Sequence, residues 1–344
     1  MKSTVRFFTF ILIITIIISM FSTVCNAANS EEAITASPKS AVANTTNIID
    51  YDEYLIENSG KLYNGEPITT DLKVFTSDNG KKLSLTDYAN VEKTLIIDSS
   101  AGTVEWNFTV PETALYEISV DYIAAADSEN KIEASVFLNG KIPFDLAENI
   151  SLPRVWKNEK EIASDEDGND ITPAQVQTEQ LQTVELFDIN GLHLEPLKFH
   201  LQKGKNKIAF KMLSGKIAIS KISLKKVTNL SSYNEYYDSY KNEKVYDGED
   251  IVIQGQDAVY KSSKELRPIS DKADPANTPV SAFNTKINCI GGNNWDSSGE
   301  KITWEFNVPA DALYTITFNY RQSYLTNASS IRTLEIDGEP LFVE

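Results

Sequence analysis

The chain is short of the residues that build most catalytic and metal sites. It has only two cysteines, Cys25 and Cys289, and two histidines, His193 and His200, in 344 residues. A disulfide framework is excluded, since loss of Cys25 with an N-terminal segment leaves Cys289 alone, so the fold must rest on core packing. The histidines have no cysteine or clear acidic pair beside them and no nucleophile motif is present, so no catalytic residue and no metal ligand is assigned and the chain reads as a non-enzyme. Forty-nine acids leave paired carboxylates open by number alone, but small duplicated sandwiches offer no evident cleft to hold a sugar ring between such a pair. Basic residues are also few: 32 Lys and Arg against 49 Asp and Glu give a formal charge of −17, which argues against nucleic acid and anionic membrane as partners.

Long apolar runs are missing after the first residues. Lys2 and Arg6 precede an apolar stretch from Phe7 to Phe21 and then Cys25-Asn26-Ala27. This is the pattern of a signal peptide over 1–27, and it implies an extracellular or cell-surface protein. The stretch is short for a membrane-spanning helix, and Ser22-Thr23-Val24 ahead of Cys25 suits lipoprotein processing poorly. Residues 28–47, rich in Ala, Ser, Thr and Asn, read as a flexible linker.

Helical periodicity is nearly absent, apart from acidic-aromatic patches at Tyr51 to Asn58 and Tyr233 to Tyr240. What the chain does have is an internal repeat. Trp106-Asn-Phe108-Thr-Val110-Pro111-Glu-Thr-Ala114-Leu115-Tyr116 recurs as Trp304-Glu-Phe306-Asn-Val308-Pro309-Ala-Asp-Ala312-Leu313-Tyr314, and the match runs without a gap to Phe144 and Phe342. Upstream, Tyr51-Asp-Glu-Tyr54 matches Tyr233-Asn-Glu-Tyr236, and Tyr63-Asn-Gly-Glu66 matches Tyr246-Asp-Gly-Glu249. So long a period means duplicated domains.

Within each copy apolar residues alternate, as in Val104, Trp106, Phe108, Val110 and then Tyr116, Ile118, Val120, Tyr122; the second copy repeats this at Ile302 to Val308 and Tyr314 to Tyr320. Period two predicts strands with one buried face. Pro111 and Pro309 end one strand before the next, and Asn139-Gly140 and Asp337-Gly338 predict tight hairpins. The reading is all-β: two tandem jelly-roll β-sandwich modules, 48–228 and 229–344, after the signal peptide and linker. The second is expected to be truncated, because the first copy runs on to about Lys226 while Glu344 matches only Leu146. Such an open sandwich should be unstable and sensitive to proteolysis.

The run from Gly291-Gly-Asn-Asn-Trp295 through Gly299 to the Trp-x-Phe-x-Val-Pro block resembles the galactose-binding-like jelly roll of carbohydrate-binding modules, families 6 and 35 above all. The first copy adds Leu138-Asn-Gly-Lys-Ile-Pro-Phe144, Leu152-Pro-Arg-Val-Trp156, Asp167-Gly-Asn-Asp170 and Glu195-Pro196. With these, residues 48–344 resemble the N-terminal region of large extracellular solute-binding proteins of Gram-positive ABC importers. The resemblance implies an oligosaccharide or polysaccharide partner, and an ABC transporter permease engaged through a downstream domain. The alternatives are accessory modules of a secreted polysaccharide-degrading enzyme, or a structural surface protein without a sugar ligand.

Arg154, Trp156 and Trp295 are the candidate ligand-binding residues. Each tryptophan sits near a proline or in a Gly-Asn-rich loop, where an indole could stack on a sugar face and the guanidinium could bond hydroxyls; the competing role is packing. Trp106 and Trp304 lie mid-strand on the apolar phase and read as core. Sugar-binding modules of this type often hold a structural calcium through an early Glu-x-Glu strand. Here Gln254-Gly-Gln256-Asp257 and a lone Asp71 stand in its place, which argues against that ion. Asp165, Asp167, Asn169 and Asp170 read as a solvated turn in preference to a calcium loop. The run from Lys198 to Lys226 holds nine lysines and no acid, and reads as a solvated strand face in preference to an anionic-polymer site.

Overall fold

In a computed structural model of the chain, residues 48–127, 129–322 and 329–343 are described, with the backbone of Phe7–Thr15. The expected linker over 28–47, and the expected signal peptide apart from that short stretch, lie outside the described residues.

The alternating stretches form strands, and the fold is an all-β sandwich architecture. In chain order the elements used below are β1 (Phe7–Thr15), α1 (Tyr51–Glu57), β2 (Phe75–Ser77), β3 (Val91–Asp98), β4 (Thr103–Val110), β5 (Ala114–Ala124), β6 (Ile132–Leu138), β7 (Ile150–Leu152), β8 (Val155–Asn158) and β9 (Gln175–Thr178). They continue with β10 (Leu181–Glu185), β11 (Lys198–Leu201), β12 (Gly204–Ser214), β13 (Lys216–Lys225), α2 (Tyr233–Tyr240), β14 (Tyr260–Lys261), β15 (Glu300–Asn307), β16 (Ile331–Ile336) and β17 (Glu339–Pro340).

The first sandwich packs two antiparallel sheets, β2-β4-β12-β6-β7 and β10-β5-β13-β3, with β11 also on β5. Strand β4 follows the sequence pattern closely: Val104, Trp106, Phe108 and Val110 are buried, and the residues between them face outward. Trp106 meets Phe210 of the neighbouring strand edge-on, on the core face of the same sheet. Strand β5 departs from alternation, being buried along its whole length. Its polar members are satisfied in place. Glu117 accepts from the Thr228 N–H and hydroxyl, and Asp121 accepts from the Thr183 hydroxyl and pairs with Lys221 at 2.7 Å.

Helix α1 closes one edge of this sandwich. Asp50 caps it, and Tyr51 and Tyr54 turn inward onto Phe144, with ring centroids 4.6 and 4.8 Å away. Their hydroxyls accept from the backbone N–H groups of Lys198 and His200, alternate residues of edge strand β11. Two tyrosines one helical turn apart thus satisfy two donors that the sheet leaves unpaired.

The second copy repeats these contacts. Tyr233 and Tyr236 of α2 meet Phe342 at 5.1 and 5.2 Å, as Tyr51 and Tyr54 meet Phe144. Tyr246 stacks on Tyr314 at 4.7 Å, as Tyr63 stacks on Tyr116 at 4.4 Å. The Tyr116 hydroxyl donates to the Glu112 carbonyl and that of Tyr314 to the Ala310 carbonyl, each at 2.8 Å. Both expected hairpins form, with positive φ at Asn139, Gly140, Asp337 and Gly338.

One expected strand is corrected. Residues 314–320 form none, and Ile316, Phe318 and Tyr320 are exposed. Their counterpart β5 is held between β10, β11 and β13, which come from 181–225, and among the described residues no strand pairs with 314–320. The other sheet shows a related gap with a different outcome. In the first sandwich β12 lies between β4 and β6, pairing Ile208 with both Trp106 and Leu138. In the second, β1 lies between β15 and β16, pairing Phe10 with both Trp304 and Ile336, the counterparts of those residues. The backbone of Phe7–Thr15 thus holds the register of β12.

The two sandwiches share a sheet, ordered β9-β8-β14-β15-β1-β16-β17, in which β8 and β9 come from the first. The Asp165–Asp170 turn adds a clasp. Asp170 accepts from the Lys286 ammonium at 2.8 Å and from the Ile287 N–H at 3.0 Å, and its own N–H donates to the Thr285 carbonyl. Asn169 accepts from the Thr285 N–H.

Candidate functional groove

A groove of about 410 Å³ lies on the outer face of the β2-β4-β12-β6 sheet. Register builds it. Thr76 on β2 pairs with Glu105 on β4, Glu105 with Ala209 on β12, and Ala209 with Phe137 on β6, so these four form one cross-strand row. Alternation sends the row outward, because Ile208 and Phe210 beside Ala209, and Val136 and Leu138 beside Phe137, point into the core. The small Ala209 makes the floor. Phe137 and Glu105 rise on either side, two strand spacings or about 10 Å apart.

Lysines on the same outer phase of β12 frame this row. Lys207 donates to Glu105 at 2.6 Å, and the exposed Lys211 pairs with Thr103 in register. Asp78 at the rim accepts from the Thr103 N–H at 2.8 Å, and that bond holds its carboxyl below the usual range. An aromatic face opposite a carboxylate, with hydroxyls and ammonium groups at the edges, can stack on the apolar face of a sugar ring and bond its hydroxyls.

None of the three residues singled out in the sequence lines the groove. Arg154 is buried and its guanidinium is spent within the protein: it donates to the carbonyls of Ala125 and Asn130 and to Gln177 Oε1 at 2.8 to 3.0 Å. Burial lowers its pKa. Trp156 is also only 6% exposed; it pairs with Lys261 of β14, and the Lys264 ammonium stands 5.9 Å from its ring centroid. Trp295, half-buried, packs on the Ala258, Leu266, Ile290 and Ile302 cluster with Arg332 over its ring at 5.3 Å. Trp156 therefore lies at the joint between the sandwiches, Arg154 is held within the first, and Trp295 stands apart in the second. Outward-phase Phe137 and Ala209 were the signal that could have found the groove.

Of the nine lysines from 198 to 226, five are paired with acids: Lys198, Lys207, Lys216, Lys221 and Lys225. Among the described residues no group of three or more His, Cys, Asp or Glu could hold a metal ion, and no helix is long and apolar enough to cross a membrane. In the Asp165–Asp170 turn the Asp165 carboxylate accepts from the N–H groups of Asp167 and Asn169, and that of Asp170 accepts from Lys286.

No family model matches this chain, and no curated protein is similar to it. Solved structures are. A family 35 carbohydrate-binding module from Clostridium thermocellum is 12% identical over 46% of this chain and 98% of its own, with a TM-score of 0.28. Another family 35 module, from an environmental isolate, is 12% identical over 46% of this chain and 92% of its own, at 0.26. A β-(1,4)-mannanase from Podospora anserina that carries a family 35 module is 15% identical over 50% of this chain and 36% of its own, at 0.25.

Proposed function

We propose that the chain is a non-catalytic carbohydrate-binding protein, and that the groove over Ala209 is where a sugar ring lies. The observation that carries this reading is the single outward row of Thr76, Glu105, Ala209 and Phe137, which sets an aromatic wall, a small floor and a carboxylate across one ring's width. The sequence resemblance of the repeated Trp-x-Phe-x-Val-Pro block and the Gly291–Trp295 run to sugar-binding modules supports it independently. Affinity electrophoresis through gels holding soluble plant and bacterial polysaccharides tests it. The whole chain should be retarded by at least one of them, and Phe137→Ala should weaken retention roughly tenfold, the loss of about 1.4 kcal/mol of stacking. Equal retention of both proteins would remove the groove from the reading, and no release of reducing ends is expected in the same incubations.

The finer setting belongs to this proposal too. The N-terminal pattern supports export, which N-terminal sequencing of secreted protein would test by a start just after Ala27. The resemblance to importer solute-binding proteins supports a place beside an ABC permease. Crosslinking on intact cells should then recover a permease, whereas recovery of a glycan-cleaving activity on the same polypeptide would favour the enzyme-accessory alternative.

A further inference from the structure

The joint between the sandwiches lies on top of an aromatic that would otherwise suit a sugar. Trp156 ends the Leu152-Pro153-Arg154 loop and carries Arg154 two residues away, yet it is 6% exposed. The groups that stand across its ring come from the second sandwich. Lys264 stands over the indole and pairs with Glu129 at 2.6 Å, reaching from one sandwich to the other. Beside it Lys261, itself 2% exposed, donates to Asn158 Oδ1 at 2.8 Å. Further along, the Asp170–Lys286 clasp holds the same two bodies together.

These contacts are of two strengths. The Lys264–Glu129 pair is exposed on both sides, where ion pairs contribute little. The clasp, with Asp170 only 11% exposed in its side chain and bonded three ways across the joint, is the firmer part. A cation over an indole face also occupies the surface that the apolar side of a pyranose ring would use.

We propose that the second sandwich is a built-in cover for Trp156: with the joint closed the indole is withheld from glycans, and with it open Trp156 becomes a second stacking platform. This rests on the carbohydrate reading above, but concerns a different surface from the groove. The test uses the whole chain with Asp170→Ala, which loosens the clasp, and separately Lys264→Ala, which removes only an exposed side chain and leaves folding intact. Each is made with and without Trp156→Phe, as is the parent. Acrylamide quenching of Trp156, taken as the difference between each protein and the same protein carrying Trp156→Phe, should be small in the parent, rise several-fold with Asp170→Ala, and rise less with Lys264→Ala, which bares one face of the indole and leaves the clasp in place. Retention on polysaccharide gels should rise with it, and the gain should vanish with Trp156→Phe.

Strong quenching of Trp156 in the parent would overturn the cover, and so would an exposed Trp156 that adds no retention. Loss of all Phe137-dependent retention in the parent would instead fail the groove, which those gels read separately.

Discussion

A single lysine shows how far burial can set a side chain's behaviour. Lys261 donates to the Asn158 amide oxygen, and burial pulls its pKa down to about 8. In the unfolded chain it titrates in the ordinary lysine range, so between about 8 and 10.5 the unfolded state binds more protons than the folded one. Stability should therefore rise with pH across that window, and the charged form is penalised below it. Lys261→Met should raise the melting temperature at pH 7 and flatten the alkaline rise in calorimetry; a lower melting temperature at pH 7 would mean that the ammonium–Asn158 bond outweighs desolvation. Nothing in the sequence marked this residue. Nor did it mark the fate of Arg154 and Trp156, because a loop aromatic beside a proline looks alike whether it faces solvent or a neighbouring module, and the inter-module contact joins residues about a hundred positions apart. Trp106 was legible, since its place on the apolar phase of β4 fixes its direction.

At the level of elements, the helix α1 and edge strand β11 form a pair whose energetics can be isolated. Tyr54→Phe keeps the ring on Phe144 and removes only the acceptor for the His200 N–H, so it should cost about 1 kcal/mol in denaturant unfolding, within the range for one lost hydrogen bond. No change would mean that water replaces the hydroxyl. A turn makes a second case. Gly102 has a φ of +71°, and a Cβ there would lie 2.2 Å from the Asp78 carboxylate that anchors the start of β4. Gly102→Ala should destabilise the first sandwich by about 1–3 kcal/mol and disturb the groove rim, read as a lower denaturant midpoint together with weaker glycan retention. The strands of the first repeat block and both hairpins were legible because they rest on local alternation and turn chemistry, whereas the two acidic-aromatic patches read equally as brief helices or linker. The failed strand at 314–320 has the same alternation as β5 and lacks its neighbours, which shows that pattern proposes a strand and pairing makes it.

Across the whole molecule the duplication accounts for both sandwiches, down to the tyrosine pairs on Phe144 and Phe342. It also exposes what differs between them. The first has a continuous buried core from Tyr51 to Val227, whereas among the described side chains of the second Ala258, Leu266, Ile290 and Ile302 cluster with two half-buried tryptophans. In the second, the register of β12 is held by the backbone of Phe7–Thr15. A chain beginning at Ala28 should therefore be cleaved by limiting protease within 229–343 well before 48–228; equal resistance of the two halves would show that the second closes without that strand.

The groove itself is tested most directly by amide chemical-shift mapping on the whole chain during titration with a polysaccharide that retards it. The largest shifts should fall on Thr76, Glu105, Ala209 and Phe137 and their strand neighbours. Shifts confined to the surroundings of Trp295, or none on that row at saturating glycan, would contradict a sugar site on the outer face of the first sandwich.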